Sequence, residues 1–143
     1  KDIKPKIVIE KFLKEKDRDT LIDYKFYCFN GKAKFIDVHI DRTDDHKQGC
    51  FDLDFNLLPF GKSKNYKTIS SDIDKPSNLS EMVLLAEKLA DELPFVRVDF
   101  YSIDGKSVFG EMTFYPADAR KEFYPDEYNL IIGDYFELPI IKN

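Results

Sequence analysis

The sequence predicts an α/β (α+β) domain, a largely antiparallel sheet covered by helices. Three observations predict it. Two pairs of alternating apolar runs flank Asn30-Gly31 and Asp104-Gly105, dipeptides that favour tight hairpin turns. One long stretch, Pro76 to Leu93, carries apolar residues at helical spacing. With 143 residues, 43% of them hydrophobic, the chain suits one domain able to bury a core.

Composition narrows the function classes. A net charge of -5 gives no footing for nucleic acid or an anionic membrane surface. No apolar run approaches the ~20 residues of a membrane span, and no signal-peptide pattern opens the chain, so a cytoplasmic location is expected. Cys28 and Cys50 show no metal-ligand spacing and read as free thiols. Asn78-Leu79-Ser80 fits a glycosylation sequon, but a helix cap explains it better. The chain begins with Lys1 and enters an apolar run almost at once, so it reads as part of a longer protein.

Taken in order, Lys6 to Leu13 is a short apolar run that turns polar at Glu10-Lys11, the pattern of a strand running into a connector. Lys14 to Thr20 is a charged loop. Leu21 to Phe29 and Lys32 to Ile40 form the first hairpin. A two-residue turn puts Tyr24, Phe26, Cys28, Ala33 and Phe35 on one face. It leaves Asp23, Lys25, Tyr27, Lys34, Ile36 and Val38 on the other, a mixed surface open to a ligand or to snorkelling lysines.

Asp41 to Lys75 is irregular, with strand-like pieces near Phe51 to Phe55. A stretch this long without regular structure is often functional. Asp41 to His46 lacks the alternating oxygens and central Gly of a calcium loop. Gly61-Lys62-Ser63 ends like a phosphate loop, but Asn56 stands where its first Gly belongs, so the match is chance. Pro76 to Leu93 is the long helix, with Asn78 and Glu81 as a capping box. Its apolar stripe is Leu79, Met82, Val83, Ala86, Leu89, Ala90 and Leu93, with Leu85 off it. Pro125 to Gly133 predicts a short helix, and the aromatic tail Tyr135 to Ile141 is expected to pack back on the domain.

The second hairpin, Phe95 to Pro116, carries the chemistry. Val96, Val98 and Phe100 share one face of its first strand, and Arg97, Asp99 and Tyr101 the other. In the second strand Val108, Gly110, Met112 and Phe114 alternate with Phe109, Glu111 and Thr113. A three-residue loop, Asp104-Gly105-Lys106, with or without a bulge, sets Asp99 opposite Glu111 and Arg97 opposite Thr113. A two-residue turn would put the Glu111 carboxylate on the apolar face, at high cost. Two facing carboxylates need a cation between them. Arg97 can be that cation on a solvated face; a divalent ion such as Mg²⁺ is the alternative, since hard carboxylate oxygens suit it. Nucleophile chemistry finds no support: there is no Gly-x-Ser-x-Gly elbow, and His39 and His46 read as structural.

These two hairpins, in this order, resemble the C-terminal half of the ATP-grasp fold. Val8 to Leu13 looks like its hinge segment, and Arg97-Val-Asp99 with Gly110-Glu-Met-Thr113 looks like the metal-ligand strands of the D-alanine–D-alanine ligase branch. Closer still is the branch named for teichuronopeptide synthesis. Its pattern is matched by Asp23-Tyr-Lys25, Phe29-Asn-Gly31, Asp41-Arg42, Pro76, Met82, Ala86-Glu-Lys-Leu89, Phe95-Val-Arg-Val-Asp99 and Phe109-Gly-Glu-Met-Thr-Phe114. The resemblance implies ATP and Mg²⁺ as cofactors, with Asp99, Glu111 and Thr113 as metal ligands. It implies Arg97 as the catalytic cation on the transferring phosphoryl group. Glu10, Lys11 and Leu13 would line the adenine hinge, Asp23 would face the ribose, Lys25 would approach the phosphates, and Arg42 would meet the substrate.

Thr113 stands where many relatives carry Asn, and Pro116-Ala-Asp-Ala replaces the small Gly turn expected after the metal strand. The family's glycine-rich flap and its lysine do not appear in these 143 residues. The implied function is therefore the C-terminal portion of a carboxylate–amine ligase that works through an acyl phosphate in capsule or cell-wall polysaccharide synthesis. Its substrates would be small or polymeric carboxylates and amines, and its neighbours the glycosyltransferases of such a cluster. Two other readings stand beside it: a non-catalytic module docking on such a glycosyltransferase, and an ATP-grasp kinase.

Overall fold

The computed structural model describes residues 4–14, 20–40, 45–62, 67–69, 73–120 and 122–137. Among the described residues, six strands form one sheet: β1 (Asp23–Phe29), β2 (Lys32–Ile40), β3 (Lys47–Phe51), β4 (Lys67–Thr68), β5 (Phe95–Ile103) and β6 (Lys106–Thr113). Their order is β4-β3-β2-β1-β5-β6, and every pairing is antiparallel except the short parallel contact of β4 with β3. Two α-helices, α1 (Leu79–Ala90) and α2 (Glu127–Gly133), complete the α+β fold. None of the described helices is long and apolar enough to cross a membrane.

Both hairpins turn through two residues with positive φ, Asn30-Gly31 and Asp104-Gly105, the backbone that twisted strands require of so short a loop. At Gly31 a side chain is doubly excluded: φ is +74°, and a Cβ would fall 1.9 Å from the Asp91 carbonyl oxygen. Each hairpin also carries one extra residue inside a strand. In the first, Tyr27 pairs with Phe35 and Cys28 with Ala33, so Lys34 is the extra residue. In the second, Asp99 pairs with Glu111 and Phe100 with Phe109, so Gly110 is the extra residue.

These bulges correct the predicted faces. Beyond Lys34, Phe35 joins Tyr27 and Phe29, while Ile36 and Val38 join Tyr24, Phe26 and Cys28. In β6 the bulge brings Phe109 across from Phe100, their rings 6.1 Å apart, and Val108 across from Tyr101. The expected pairs Asp99–Glu111 and Arg97–Thr113 both form. They do so through a two-residue turn plus a bulge rather than through a three-residue loop.

The helix α1 lies across the face that carries Val98, Phe100 and Met112, burying Leu79, Met82, Ala86 and Ala90. It is shorter than predicted, and its capping box does not form. Asn78 instead turns toward the β5–β6 hairpin, where Ser102 Oγ donates to its Oδ1 and its Nδ2 donates to Ser107 Oγ. Leu89 is 39% exposed, whereas Leu85 packs against the core. The opposite face is aromatic near the hairpin turn, where Tyr27, Phe29 and Phe35 meet α2 through Ile132. Tyr135 and Phe136 pack on Phe29, as expected of the tail; residues 138–141 of that tail lie outside the described residues. The Lys6–Leu13 run is not a strand: residues 4–14 pair with no strand, and Ile7 and Ile9 are more than nine-tenths exposed.

Candidate active site

Beyond the aromatic cluster, the face opposite α1 is charged. Alternation in β1, β2, β5 and β6 points Asp23, Lys25, Asp37, His39, Arg97, Asp99, Glu111 and Thr113 to this side. Register then lays them in a row, with Asp37 beside Lys25, Lys25 beside Asp99, and Asp99 beside Glu111. Five of these, Asp23, Lys25, Asp37, His39 and Asp99, are buried. Burying a charge is costly unless it is paired and hydrogen-bonded, and Lys25, Asp37 and Asp99 are both.

Arg97 joins the two central carboxylates. Its Nε donates to Asp99 Oδ1 at 2.7 Å. Its Nη2 donates to Asp99 Oδ2 at 2.8 Å, to Glu111 Oε1 at 2.6 Å and to Thr113 Oγ1 at 2.9 Å. One nitrogen therefore stands within 2.9 Å of an oxygen from each of the three predicted metal ligands. Lys25 Nζ adds a second cation, 2.5 Å from Asp99 Oδ2 and 3.6 Å from Asp23. Burial works against the Arg97 charge, but the hydrogen bonds and charge of Asp99 outweigh it and raise its pKa.

The three oxygens fit a small hard cation in number and kind: two carboxylates and a hydroxyl already converge on a single positive atom. In the protein alone that atom belongs to Arg97, the first of the two cations expected from sequence. Glu111, whose side chain is 60% exposed, is the carboxylate with most freedom to move; Asp99 is held from two sides.

A cleft of about 860 Å³ opens on this face. Lys25, Arg97 and Glu111 line its charged part, and Phe29, Phe95 and Phe123 line part of its aromatic wall. Asp23 lies buried next to Lys25 rather than in the lining. Glu10, Lys11 and Leu13 sit in the irregular 4–14 segment and do not line the cleft either. Arg42 lies outside the described residues.

A second cluster on the same face was not anticipated. Asp37 is fully buried; Lys62 Nζ and His39 Nε2 reach its Oδ2 at 2.7 and 2.9 Å, and Gln48 Nε2 donates to its Oδ1 at 2.7 Å. Lys62 also bonds the Tyr27 hydroxyl and stands 4.3 Å from the centre of that ring. Burial alone would raise the Asp37 carboxyl, but the Lys62 charge and the His39 contact hold it well below the usual carboxylate range. Two sequence signals bore on this cluster: an acid and a histidine alternating in β2, and the lysine of the rejected Gly61-Lys62-Ser63. The rejection stands, because Lys62 works here as a counter-ion.

Together, the helix-covered sheet and the paired acid–arginine strands define an ATP-grasp-like subdomain. The chain belongs to the TupA-like ATP-grasp family, whose model it matches over residues 1–137. No curated protein and no solved structure matches it significantly.

Proposed function

We propose that this chain supplies the metal- and phosphate-binding part of an ATP-dependent carboxylate–amine ligase that serves bacterial surface-polysaccharide synthesis in the cytoplasm. The observation that supports it is the convergence of Asp99, Glu111 and Thr113 on one cationic nitrogen. Those three residues would hold Mg²⁺, which when bound neutralises the ATP phosphates.

The remaining work falls to side chains. Arg97, turned from the oxygens that Mg²⁺ would take, presents its guanidinium to the phosphoryl group in transfer, an electrostatic role suited to its planar fork. Lys25 fixes Asp99 and adds positive charge facing the cleft. The substrate carboxylate attacks the γ-phosphorus and ADP leaves with the bonding electrons; an amine then displaces phosphate from the acyl carbon. The adenine and ribose roles of Glu10, Lys11, Leu13 and Asp23, and the substrate role of Arg42, come from family resemblance. So do the flap and lysine of the other half of the clamp, and any contact with glycosyltransferases.

The test is a titration of Mg²⁺ or Mn²⁺ with ATP into the full-length protein and its Glu111→Gln variant. Metal-dependent nucleotide affinity is expected to fall at least about tenfold in the variant, the ~1.4 kcal/mol scale of one weakened charged contact. Equal affinity in both proteins overturns the assignment.

A further inference from the structure

The oxygen cradle of Asp99, Glu111 and Thr113 has an occupant of its own. Asp99 Oδ1 accepts from Arg97 Nε. Asp99 Oδ2 accepts from both Arg97 Nη2 and Lys25 Nζ, which takes its two lone pairs. Glu111 Oε1 and Thr113 Oγ1 accept from the same Nη2. An ion holding all three oxygens at ~2.1 Å takes the centre that they surround. Nη2 stands there, 2.8, 2.6 and 2.9 Å from them. Two positive centres repel and cannot share that space. Metal and guanidinium therefore exclude one another at these oxygens.

Leaving the cradle is costly for Arg97. Its fork grips both oxygens of Asp99, and its side chain is only 13% exposed, so the pair it would break is largely shielded from water. What the guanidinium gains in exchange depends on the cleft. Arg97 lines it, so a freed fork faces the cavity. With water alone there, the fork exchanges a carboxylate for neutral partners. A polyphosphate offers anionic oxygens in the geometry that the fork matches. The cost of vacating the cradle is thus lowest when an anion is present to receive Arg97.

We infer that Arg97 is a built-in competitor for the metal, closing the site to a free divalent ion and opening it to one that arrives with a polyphosphate; this rests on the metal-site reading above. Affinity for a free ion is lowered by the fraction of molecules in which Arg97 has left the cradle. The polyphosphate raises that fraction, and by linkage the metal raises affinity for the polyphosphate by the same factor. This coupling adds to the direct contact between metal and phosphate. Two bare carboxylates would load metal from solution at any time. Here the arginine turns to the phosphates as the metal takes its place.

The experiment compares the full-length protein with its Arg97→Met variant, counting free Mn²⁺ by electron paramagnetic resonance. Without nucleotide, the variant is expected to bind Mn²⁺ about tenfold more tightly than wild type, the factor for a cradle vacated about a tenth of the time. ATP affinity is measured next, with and without saturating Mn²⁺. The gain on adding metal is expected to be smaller in the variant, which has no guanidinium to release. Equal or weaker Mn²⁺ binding by the variant, or an equal gain in both proteins, overturns the competitor role and leaves the metal site standing. ATP affinity that does not respond to Mn²⁺ in wild type overturns the metal site and this inference with it. A second readout needs no variant and separates displacement from the mere loss of a charge. The Arg97 Nε–H signal of wild type, protected from exchange by Asp99, is followed by ¹⁵N NMR as Mg²⁺ alone is added. It should lose that protection as Mg²⁺ fills the site. A site filled with Mg²⁺, as counted by displaced Mn²⁺, while the signal stays protected overturns the exclusion whether or not the variant folds.

Discussion

Asp37 shows what a buried acid needs: three donors on two oxygens, one of them a full positive charge. Removing that charge leaves the carboxylate stranded, and breaking a buried pair costs about 3–5 kcal/mol. Lys62→Met is therefore expected to lose about that much stability at neutral pH, measured by urea unfolding. The pH dependence follows from the sign of the shift. Because the folded carboxyl titrates below its unfolded value near 3.9, its contribution is present above that pH and is lost as pH falls further. Without Lys62 burial dominates and raises the carboxyl, so the acid-unfolding midpoint should move upward. An unchanged acid limb would mean that Lys62 is not its main counter-ion. At this scale the sequence was legible in one hairpin and opaque in the other. Glu111 could be placed because its burial on the apolar face was rejected as too costly. The same test applied to Asp37, which a regular hairpin sends to the α1 side, would have exposed the bulge at Lys34. Nothing in Ala33-Lys34-Phe35 marks it locally.

Among the elements, α1 is where spacing and structure part. Its centre was readable, since Leu79, Met82, Ala86 and Ala90 recur at three and four residues and all are buried. Leu85 and Leu89 are four apart and share a flank, so no helical periodicity can rank them; what lies beneath each one decides. Leu85→Ala is expected to cost about 1–2 kcal/mol and Leu89→Ala less than about 1 kcal/mol, against roughly 2–5 kcal/mol for Met82→Ala. Denaturant midpoints at constant m-value measure all three. A larger loss at Leu89 than at Leu85 would contradict the docking described. The missing cap has a cause of the same kind. Asn78 and Glu81 have the sequence of a capping box, but Ser102 and Ser107 offer both side chains competing partners. The 4–14 run misled for another reason: an apolar stretch reads as a strand whether or not a neighbour is present to pair with it.

At the scale of the molecule, one sheet serves two solvents. Its α1 side is a continuous apolar core, and its other side is half aromatic and half ionic. The core does not depend on the ionic half being filled. This chain by itself is therefore expected to unfold cooperatively without nucleotide and to bind Mg-ATP weakly. It should turn over ATP far more slowly than the full-length protein, because phosphoryl transfer needs groups on both sides of the nucleotide. Calorimetry and ADP release, run side by side on both proteins, check this; equal turnover would show that the second side is not needed. The architecture was largely legible because hairpin turns and helix stripes are local signals. The cleft was not, because it joins β1, β2, β5, the 60–62 loop and α2, segments far apart in the chain.

Gly110 gives this hairpin a length it does not need for the cradle. Eleven residues separate Asp99 from Glu111, one more than the ten that a regular two-residue hairpin sets between positions so opposed. The surplus residue sits inside β6, where a Cβ at Gly110 would stand 3.2 Å from the Asp99 carbonyl oxygen. Deleting Gly110 would leave Phe109 opposite Phe100 and Glu111 opposite Asp99, in a ladder without a bulge. Deleting Val108 instead would also leave Glu111 opposite Asp99, but it would set Phe109 opposite Tyr101, on the other side of the sheet from Phe100. The cradle can thus lose one residue from this hairpin, and the place of the loss decides which face keeps Phe109.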